Sequence, residues 1–163
     1  MHMVIMGIDP GTAATGWGVI RYEGQKAVLI DCGIIQTVPR TPMSKRLLTI
    51  FNDISGLLKK FKPESLVIEE LFFNTNAKTA LVVGQARGVV MIAGEKYGCD
   101  IFSYTPLQVK MAITGYGRAD KNQIQQMVQK LLKLPQIIKP DDAADAVAIA
   151  LTHGFTANFI FQH

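Results

Sequence analysis

The stretch Met3-Val-Ile-Met-Gly-Ile8, followed by Asp9-Pro10-Gly11, decides the fold predicted for this chain. Six uncharged residues between turn formers are typical of a strand that is buried on both faces at the centre of a sheet. Asp9 stands where this strand leaves the sheet, and Pro10-Gly11 turns the chain at once. A carboxylate there is costly unless a basic side chain or a metal ion faces it. Since Asp-Pro-Gly is also ordinary turn chemistry, this stretch alone leaves a turn-forming and a functional Asp9 equally open.

Length and composition predict a single domain over residues 1–163. With 48% hydrophobic residues, such a chain can bury about 70% of the surface that its unfolded form exposes. The uncharged stretches are too short to cross a membrane and no basic leader is present, so neither a span nor a signal peptide is expected. Cys32 and Cys99 lack metal-type spacing, and we expect reduced thiols in a cytoplasmic protein. The formal charge of +4 is a modest indication of a polyanionic partner.

Apolar periodicity and turn formers predict five strands and five helices. The strands are expected at residues 3–8, 15–22, 27–37, 65–70 and 100–104. The first helix is expected to begin with Pro42 in its first turn, after Thr41 as cap, and to be stopped by Pro63. The other helices are expected at about 78–97, at 106–114, at about 121–132 with Asp120 as cap, and at about 142–152 with Asp141 as cap. This order predicts an α/β fold in which an antiparallel meander and two further strands form a mixed five-stranded sheet with helices on both faces.

Three segments between or beyond these elements are expected to be irregular. Residues 71–77 form a loop that carries Phe72 and Phe73, and residues 115–120 form a flexible, partly basic loop. The tail from Phe155 stays unassigned. We expect His153 at the end of the last helix, where a positive charge is favourable.

Acidic residues stand at the ends of several predicted elements: Asp9, Glu69-Glu70, and the group Asp141, Asp142 and Asp145. Asp142 and Asp145 are three apart on a helix, so they project from one face. The rest of that helix is small and apolar, and we expect it to be buried against the sheet. Strands one and four can be neighbours, which would bring these carboxylates together. Because Glu69 and Glu70 point to opposite faces of a strand, only one can join them, and the spacing leaves open which.

Converging carboxylates repel one another unless divalent cations share them. Oxygen ligands without His or Cys favour Mg²⁺ or Mn²⁺ over zinc, and a pair of such ions is typical of phosphodiester hydrolysis. Taken one at a time, the residues have simpler interpretations: Asp142 as a first-turn aspartate favoured by the helix dipole, Asp145 as a solvated residue, and Glu69-Glu70 as a polar strand end.

Several segments resemble the RuvC family of Holliday junction resolvases, which are bacterial nucleases with a ribonuclease H-like fold. They are GIDPGTAATGWGVI at 7–20, VIEELFF at 67–73, GQARG at 84–88, QVKMAITGYGRADKNQIQQMV at 108–128, LLKLP at 131–135 and DDAADAVAIALTH at 141–153. The resemblance follows the family order over nearly the whole chain.

The resemblance implies a site and a chemistry. Its metal-binding catalytic carboxylates fall on Asp9, Glu69, Asp142 and Asp145, which selects Glu69 over Glu70. It implies two Mg²⁺ ions per site, with Mn²⁺ as a substitute, and products with a 5′-phosphate and a 3′-hydroxyl. Lys121 matches a basic catalytic residue near the phosphate and Lys110 matches another, although without the resemblance Lys121 would be interpreted as a solvated helix residue.

The resemblance also implies how DNA is bound. Phe72, with Phe73 beside it, matches an aromatic residue that meets unstacked bases, while a core anchor for the loop is an almost equal alternative. Further candidates for phosphate contacts are Lys78, Arg87 and Arg118. A homodimer would nick opposite strands of a four-way junction symmetrically in recombination and DNA repair, together with the RuvA–RuvB branch-migration complex.

Three other functions are compatible with parts of the sequence. A non-catalytic junction-binding module would have the carboxylates without using them. An actin-like phosphotransferase could share the strand-Asp-Pro-Gly-Thr loop, but 163 residues leave no room for a second lobe around ATP. A ribonuclease acting on structured RNA could use the same four carboxylates.

Overall fold

The computed structural model describes residues 2–70 and 76–161, the last four of these by backbone alone. The strands are β1 (His2–Asp9), β2 (Ala14–Glu23), β3 (Lys26–Gln36), β4 (Ser65–Glu69) and β5 (Asp100–Tyr104). The helices are α1 (Met43–Phe61), α2 (Ala77–Lys96), α3 (Pro106–Thr114), α4 (Lys121–Leu131) and α5 (Asp141–Phe161). Phe72 and Phe73 lie outside the described residues. No helix within the described ranges is long and apolar enough to span a membrane.

The strands form one five-stranded sheet in the order β3-β2-β1-β4-β5. The strand β1 pairs antiparallel with β2 and parallel with β4, and β5 extends the parallel half beside β4. The predicted mixed sheet and the predicted adjacency of the first and fourth strands are therefore confirmed. Since Ile8 is paired with Ile68, the next residues, Asp9 and Glu69, leave the sheet side by side.

Helices cover both faces of the sheet, so it separates two apolar cores. Ile5 of β1 and Val67 of β4 belong to the core that contains α5. The neighbouring residues Met6, Ile8 and Ile68 belong to the other core, beneath α1 and α2. Because side chains alternate along a strand, Asp9 and Glu69 have the parity of Ile5 and Val67 and lie on the α5 side. Glu70 has the opposite parity.

Two glycines allow α5 to lie unusually close to the sheet. A Cβ atom added at Gly7 would lie 2.0 Å from the main-chain oxygen of Ala146, and one added at Gly16 would lie 2.0 Å from that of Asp142. Neither distance is possible for a real side chain, so both positions require glycine for close backbone approach. The N-terminal part of α5 therefore rests directly on β1 and β2.

The last helix is longer than predicted. α5 begins at Asp141, so this residue is the first helical residue and not the cap, and the helix continues to Phe161. The prediction of an unassigned tail from Phe155 was wrong because this segment packs on the sheet. The ring of Phe155 contacts that of Tyr22 edge-on at 6.2 Å, and Gly154 fits against the same tyrosine.

The predicted position of His153 was also wrong. It lies in the interior of α5 and is 4% exposed, with its ring 4.2 Å from that of Phe102. Its Nδ1 atom is 3.0 Å from the Tyr104 hydroxyl. Burial lowers the pKa of His153 to about 4, so the imidazole is neutral at pH 7 and does not compensate a helix end.

Local signals at most other helix ends agree with the sequence. Asp120 caps α4 in a capping box with Gln123, and Thr105 forms the same motif with Gln108 at α3. The predicted cap of α1 was wrong: Pro42, not Thr41, occupies the N-cap position and no side chain caps the helix. Cys32 and Cys99 are free thiols, as expected.

Candidate active site

The structure brings three carboxylates together at one edge of the sheet. Asp9 comes from the end of β1, while Asp142 and Asp145 come from the first two turns of α5. One carboxylate oxygen from each of the three lies within 4.8 Å of the other two. All three residues are partly buried. The convergence expected from residues far apart in the sequence is therefore present.

Glu69 extends this group from the neighbouring strand. Its carboxylate accepts a hydrogen bond from the Asp9 carboxyl group, and it is partly buried. Glu70 is exposed, and its main-chain N–H donates to the Tyr104 carbonyl oxygen at 2.9 Å. The structure thus brings Glu69, not Glu70, to the group, and together with Asp9, Asp142 and Asp145 it forms what we call the acidic centre.

The electrostatics of the acidic centre show a strong excess of negative charge. Burial, followed by repulsion from Glu69, Asp145 and Asp142, raises the pKa of Asp9 to about 8. Burial and the charge of Asp145 raise the pKa of Glu69. Burial also raises the pKa of Asp145, although Lys121 acts in the opposite direction. Several carboxylates with raised pKa values in one place are typical of a site that binds a cation or does acid–base chemistry.

The donor set of the acidic centre fits a hard divalent cation. It offers only carboxylate oxygens, which Mg²⁺ and Mn²⁺ prefer, and no described His or Cys lies among the residues that could share an ion. A cation there would also offset the repulsion that raises the pKa of Asp9. The arrangement can therefore hold a metal ion.

Lys121 places a positive charge at the rim of the acidic centre. Its Nζ atom is 3.4 Å from Oδ2 of Asp145 and 3.6 Å from Oδ2 of Asp141. Partial burial acts to lower the pKa of Lys121, but the interaction with Asp145, and then with Asp141 and Asp142, raises it overall. The ammonium group is therefore charged and stays within reach of an anion at the site.

Asp141 lies beside the acidic centre, where it shares Lys121 with Asp145 and also has partners of its own. It accepts hydrogen bonds from Nε2 of Gln125 at 2.9 Å and from Nζ of Lys139 at 3.2 Å. These two bonds lower the pKa of Asp141.

Gln125 is 7% exposed and joins α4 to the start of α5, which fixes Lys121 relative to Asp145. Sequence analysis missed Gln125, although a glutamine beside the apolar positions Ile124 and Val128 was a usable signal.

A cavity of about 260 Å³ opens in front of the acidic centre. Glu69 and Asp145 lie on one side, and Lys110 of α3 and Lys121 of α4 lie on the others. The structure thus brings both predicted lysines to the same cavity. Side chains of both signs around one cavity suit a ligand that carries phosphate and metal together.

The other predicted DNA contacts within the described residues do not line this cavity. Lys78 lines a separate hollow with Thr12 and Asp142, and Arg118 is exposed in the loop between α3 and α4. Arg87 is partly buried on α2, where its guanidinium donates to Ser103 Oγ at 2.7 Å. Arg87 is therefore already engaged by the fold.

Comparison with known proteins gives concordant matches over most of the chain. The family model described as crossover junction endodeoxyribonuclease RuvC matches residues 5–153. The crossover junction endodeoxyribonuclease RuvC of Ruminiclostridium cellulolyticum is 57% identical over 152 residues, which cover 93% of this chain and 92% of that protein.

Solved structures agree in fold. The structure of Thermus thermophilus RuvC superimposes with a TM-score of 0.90 at 39% identity, covering 96% of both chains. T. thermophilus RuvC in complex with Holliday junction substrate superimposes with a TM-score of 0.89 at 37% identity, again over 96% of both chains.

Proposed function

Because the chain belongs to the RuvC family of crossover junction endodeoxyribonucleases, we propose that it resolves Holliday junctions by hydrolysing phosphodiester bonds at the acidic centre. The observation that carries this proposal is the convergence of Asp9, Asp142 and Asp145, with one oxygen of each within 4.8 Å of the others. No pairing with basic side chains accounts for this convergence, since only Asp145 of the three has a basic partner among the described residues. The positive partner of the centre is therefore a ligand.

We propose that Asp9, Glu69, Asp142 and Asp145 hold two Mg²⁺ ions, for which Mn²⁺ can substitute. When bound, such a pair supplies activation of the attacking water and stabilisation of the leaving oxygen. The chain itself supplies the fixed ligands: β1 and β4 hold Asp9 and Glu69 side by side, and the close approach of α5 to Gly16 holds Asp142. Products with a 5′-phosphate and a 3′-hydroxyl are part of this proposal.

Lys121 and Lys110 are proposed to bind the phosphate at the cavity. Lys121 already interacts with Asp145, so neutralisation of the acidic centre by cations would release its charge for the substrate. A positive group held near the reacting phosphate stabilises the negative charge that grows in the transition state. Lys110 approaches the same cavity from α3 and would contact the phosphate backbone.

Recognition of the junction involves residues further from the chemistry. The T. thermophilus relative has been solved with Holliday junction substrate, and we propose the same substrate for this chain. Shape, deformability and phosphate contacts dominate such recognition. The residues proposed for it are Lys78, Arg87 and Arg118, with Phe72 and its neighbour Phe73 at unstacked bases.

A homodimer with two acidic centres would make the paired symmetric nicks, and the RuvA–RuvB complex is the proposed partner. The role in recombination and repair and the cytoplasmic location belong to the same proposal.

The decisive experiment is incubation with a synthetic mobile four-way junction, with and without Mg²⁺. We expect two symmetrically placed nicks, only with the metal, and products that DNA ligase reseals because they carry a 5′-phosphate and a 3′-hydroxyl. Linear duplex DNA and structured RNA serve as competing substrates. Binding without nicking by the wild-type protein would favour the junction-binding module, and faster cutting of RNA would favour the ribonuclease.

A further inference from the structure

A second hollow adjoins the cavity of the acidic centre. It has a volume of about 240 Å³ and lies between α4 and the loop that follows α3. We call it the side hollow; its lining includes Thr114, Tyr116, Gln123, Gln126, Met127 and Lys130. Ala119 lines both the side hollow and the cavity of the acidic centre, so the two hollows are neighbours on the surface.

Tyr116 lines the side hollow with an aromatic side chain on a backbone that hydrogen bonds hold in place. Its main-chain N–H donates to Thr114 Oγ1 at 3.1 Å, and its carbonyl oxygen accepts from the Ala119 N–H at 3.1 Å. Thr114 Oγ1 in turn donates to the Lys110 carbonyl oxygen at 2.8 Å. The loop expected to be flexible is therefore anchored, yet the tyrosine remains 54% exposed. An exposed aromatic residue is common, but one on a fixed backbone beside a catalytic cavity is a ready stacking surface.

The polar groups around this ring match the edges of a nucleobase. Oε1 of Gln123 accepts from the Asp120 N–H at 2.8 Å, which orients the amide, and no described residue accepts from its Nε2. Gln126 is exposed beside it. Amide side chains pair with base edges, and aromatic rings stack on base faces. Lys130 makes no ion pair with any described residue, so it can meet the adjoining phosphate.

We propose that the side hollow receives one unstacked base of the DNA strand that enters the acidic centre, with the Tyr116 ring as its stacking partner. This rests on the proposed function, since it needs a phosphate of the same strand at Lys110 and Lys121. The side hollow suits a base better than a phosphate, because its lining offers a ring, the thioether of Met127 and two amides but only a single cation. The side hollow thereby adds a contact that fixes which phosphate lies at the acidic centre.

The test measures junction binding in the presence of a metal chelator, where binding is separated from cleavage. Stacking contributes ~1–3 kcal/mol per base, so Tyr116→Ala should raise the Kd for a four-way junction about 5- to 150-fold. Tyr116→Phe keeps the ring and should bind like the wild type. The slope of log Kd against log salt should stay unchanged in Tyr116→Ala, whereas Lys130→Gln should reduce its magnitude by about one.

A set of junctions, each with one abasic site near the crossover, identifies the base. At one position, removal of the base should weaken wild-type binding as much as Tyr116→Ala does, and should weaken the variant no further. The inference would be overturned if Tyr116→Ala bound the junction as tightly as the wild type, or if its salt slope changed. It would also be overturned if the variant lost the same additional affinity at every abasic position. Failure of the wild type to nick any junction with Mg²⁺ would instead overturn the proposed function, and the binding data would still be interpretable.

Discussion

The backbones of Gly16 and Asp142 are in direct contact, and a Cβ atom on Gly16 would lie 2.0 Å from the Asp142 carbonyl oxygen. Gly16 is also the cross-strand partner of Asp9 in the β1–β2 ladder. The absence of a side chain at Gly16 therefore sets the distance between Asp9 of the sheet and Asp142 of α5. The geometry of the acidic centre depends on a residue that has no functional group.

Gly16→Ala should disrupt the acidic centre. Its methyl group can be accommodated only if the start of α5 moves away from β2, which separates Asp142 from Asp9. We expect cleavage of a four-way junction to fall by at least about tenfold and the melting temperature to decrease, since overpacking typically costs ~1–3 kcal/mol. Single-turnover cleavage and thermal unfolding measure the two effects.

Gly56→Ala is the matched control. A Cβ at Gly56, within α1, would meet nothing within 4 Å, and alanine is favoured over glycine in a helix by roughly 0.5–1 kcal/mol. This variant should be slightly more stable and fully active. Full activity in Gly16→Ala as well would show that the close contact does not position Asp142.

Asp9→Asn should abolish cleavage and stabilise the metal-free protein. In the metal-free fold the pKa of about 8 keeps Asp9 mostly protonated at pH 7, whereas the unfolded chain ionises it, so folding takes up a proton at a cost in free energy that asparagine does not incur. We expect a higher melting temperature than the wild type in chelator, and a smaller increase on addition of Mg²⁺. Junction binding should survive, because no positive charge is lost.

Asp53→Asn provides the comparison for this experiment, since Asp53 is exposed on α1. It should leave the cleavage rate and the Mg²⁺-induced increase in melting temperature as they are in the wild type. An Asp9→Asn protein that nicks junctions at the normal rate would remove Asp9 from the proposed ligand set.

Lys121→Gln should slow the chemical step more than it weakens binding. Removal of one hydrogen-bond donor that stabilises charge in a transition state costs about 10²–10³ in rate, and we expect the lower end because the lysine is half exposed. Lys139→Gln is the control, as Lys139 pairs with Asp141 on the outside of the site. Single-turnover rates at saturating enzyme isolate the effect, and equal rates for the two variants would contradict the role of Lys121.

His153 should make the protein less stable in mild acid. Its pKa is about 4 in the fold against 6.5 for the free side chain, so the unfolded chain binds a proton over a pH range where the folded chain does not. The contribution of His153 to stability therefore falls below pH 6.5, by about 2 kcal/mol between pH 7 and pH 5. Because the raised pKa values of the acidic centre act in the opposite direction over this range, the loss is measured by urea unfolding as the difference in pH dependence between the wild type and a His153 variant.

His153→Gln should be less stable than the wild type at pH 7, because the contacts with Phe102 and Tyr104 are weakened. The difference in stability between the two proteins should nevertheless shift in favour of the variant, by about 2 kcal/mol, between pH 7 and pH 5. His2→Gln, at the exposed start of β1, should keep the wild-type pH dependence. The same pH dependence in all three proteins would contradict a buried neutral imidazole.

The parts of the structure that the sequence could predict are those with strong local periodicity or capping. The uncharged run before Asp9 indicates a central strand, and Asp120 and Thr105 mark helix starts because their side chains bond the third helical N–H. The choice between Glu69 and Glu70 could not be made from spacing. It depends on the register between β4 and β1 and on which face α5 covers, and both are set by tertiary contacts.

The errors near the C-terminus have a common physical cause. His153 was expected at a helix end, yet it packs against the ring of Phe102 on the sheet, and Gly154 fits beside the ring of Tyr22. Local propensity was overridden by packing partners more than 40 residues away in the sequence. The side hollow was missed although all of its lining except Lys130 falls within the segment 108–128, because a run of sequence does not show which of its side chains border the same hollow.

Because side chains point alternately to the two faces of β1, the tolerance to substitution in a saturation mutational scan should alternate from one residue to the next. Met6 and Ile8 face the layer formed by α1 and α2. Apolar replacements of these two residues should change the expression level and the melting temperature, while the variants that still fold keep a normal turnover rate. Gly7 and Asp9 face the opposite layer, where even small replacements should eliminate turnover. Engineering of stability can therefore be confined to one side of the sheet without disturbing the reaction on the other.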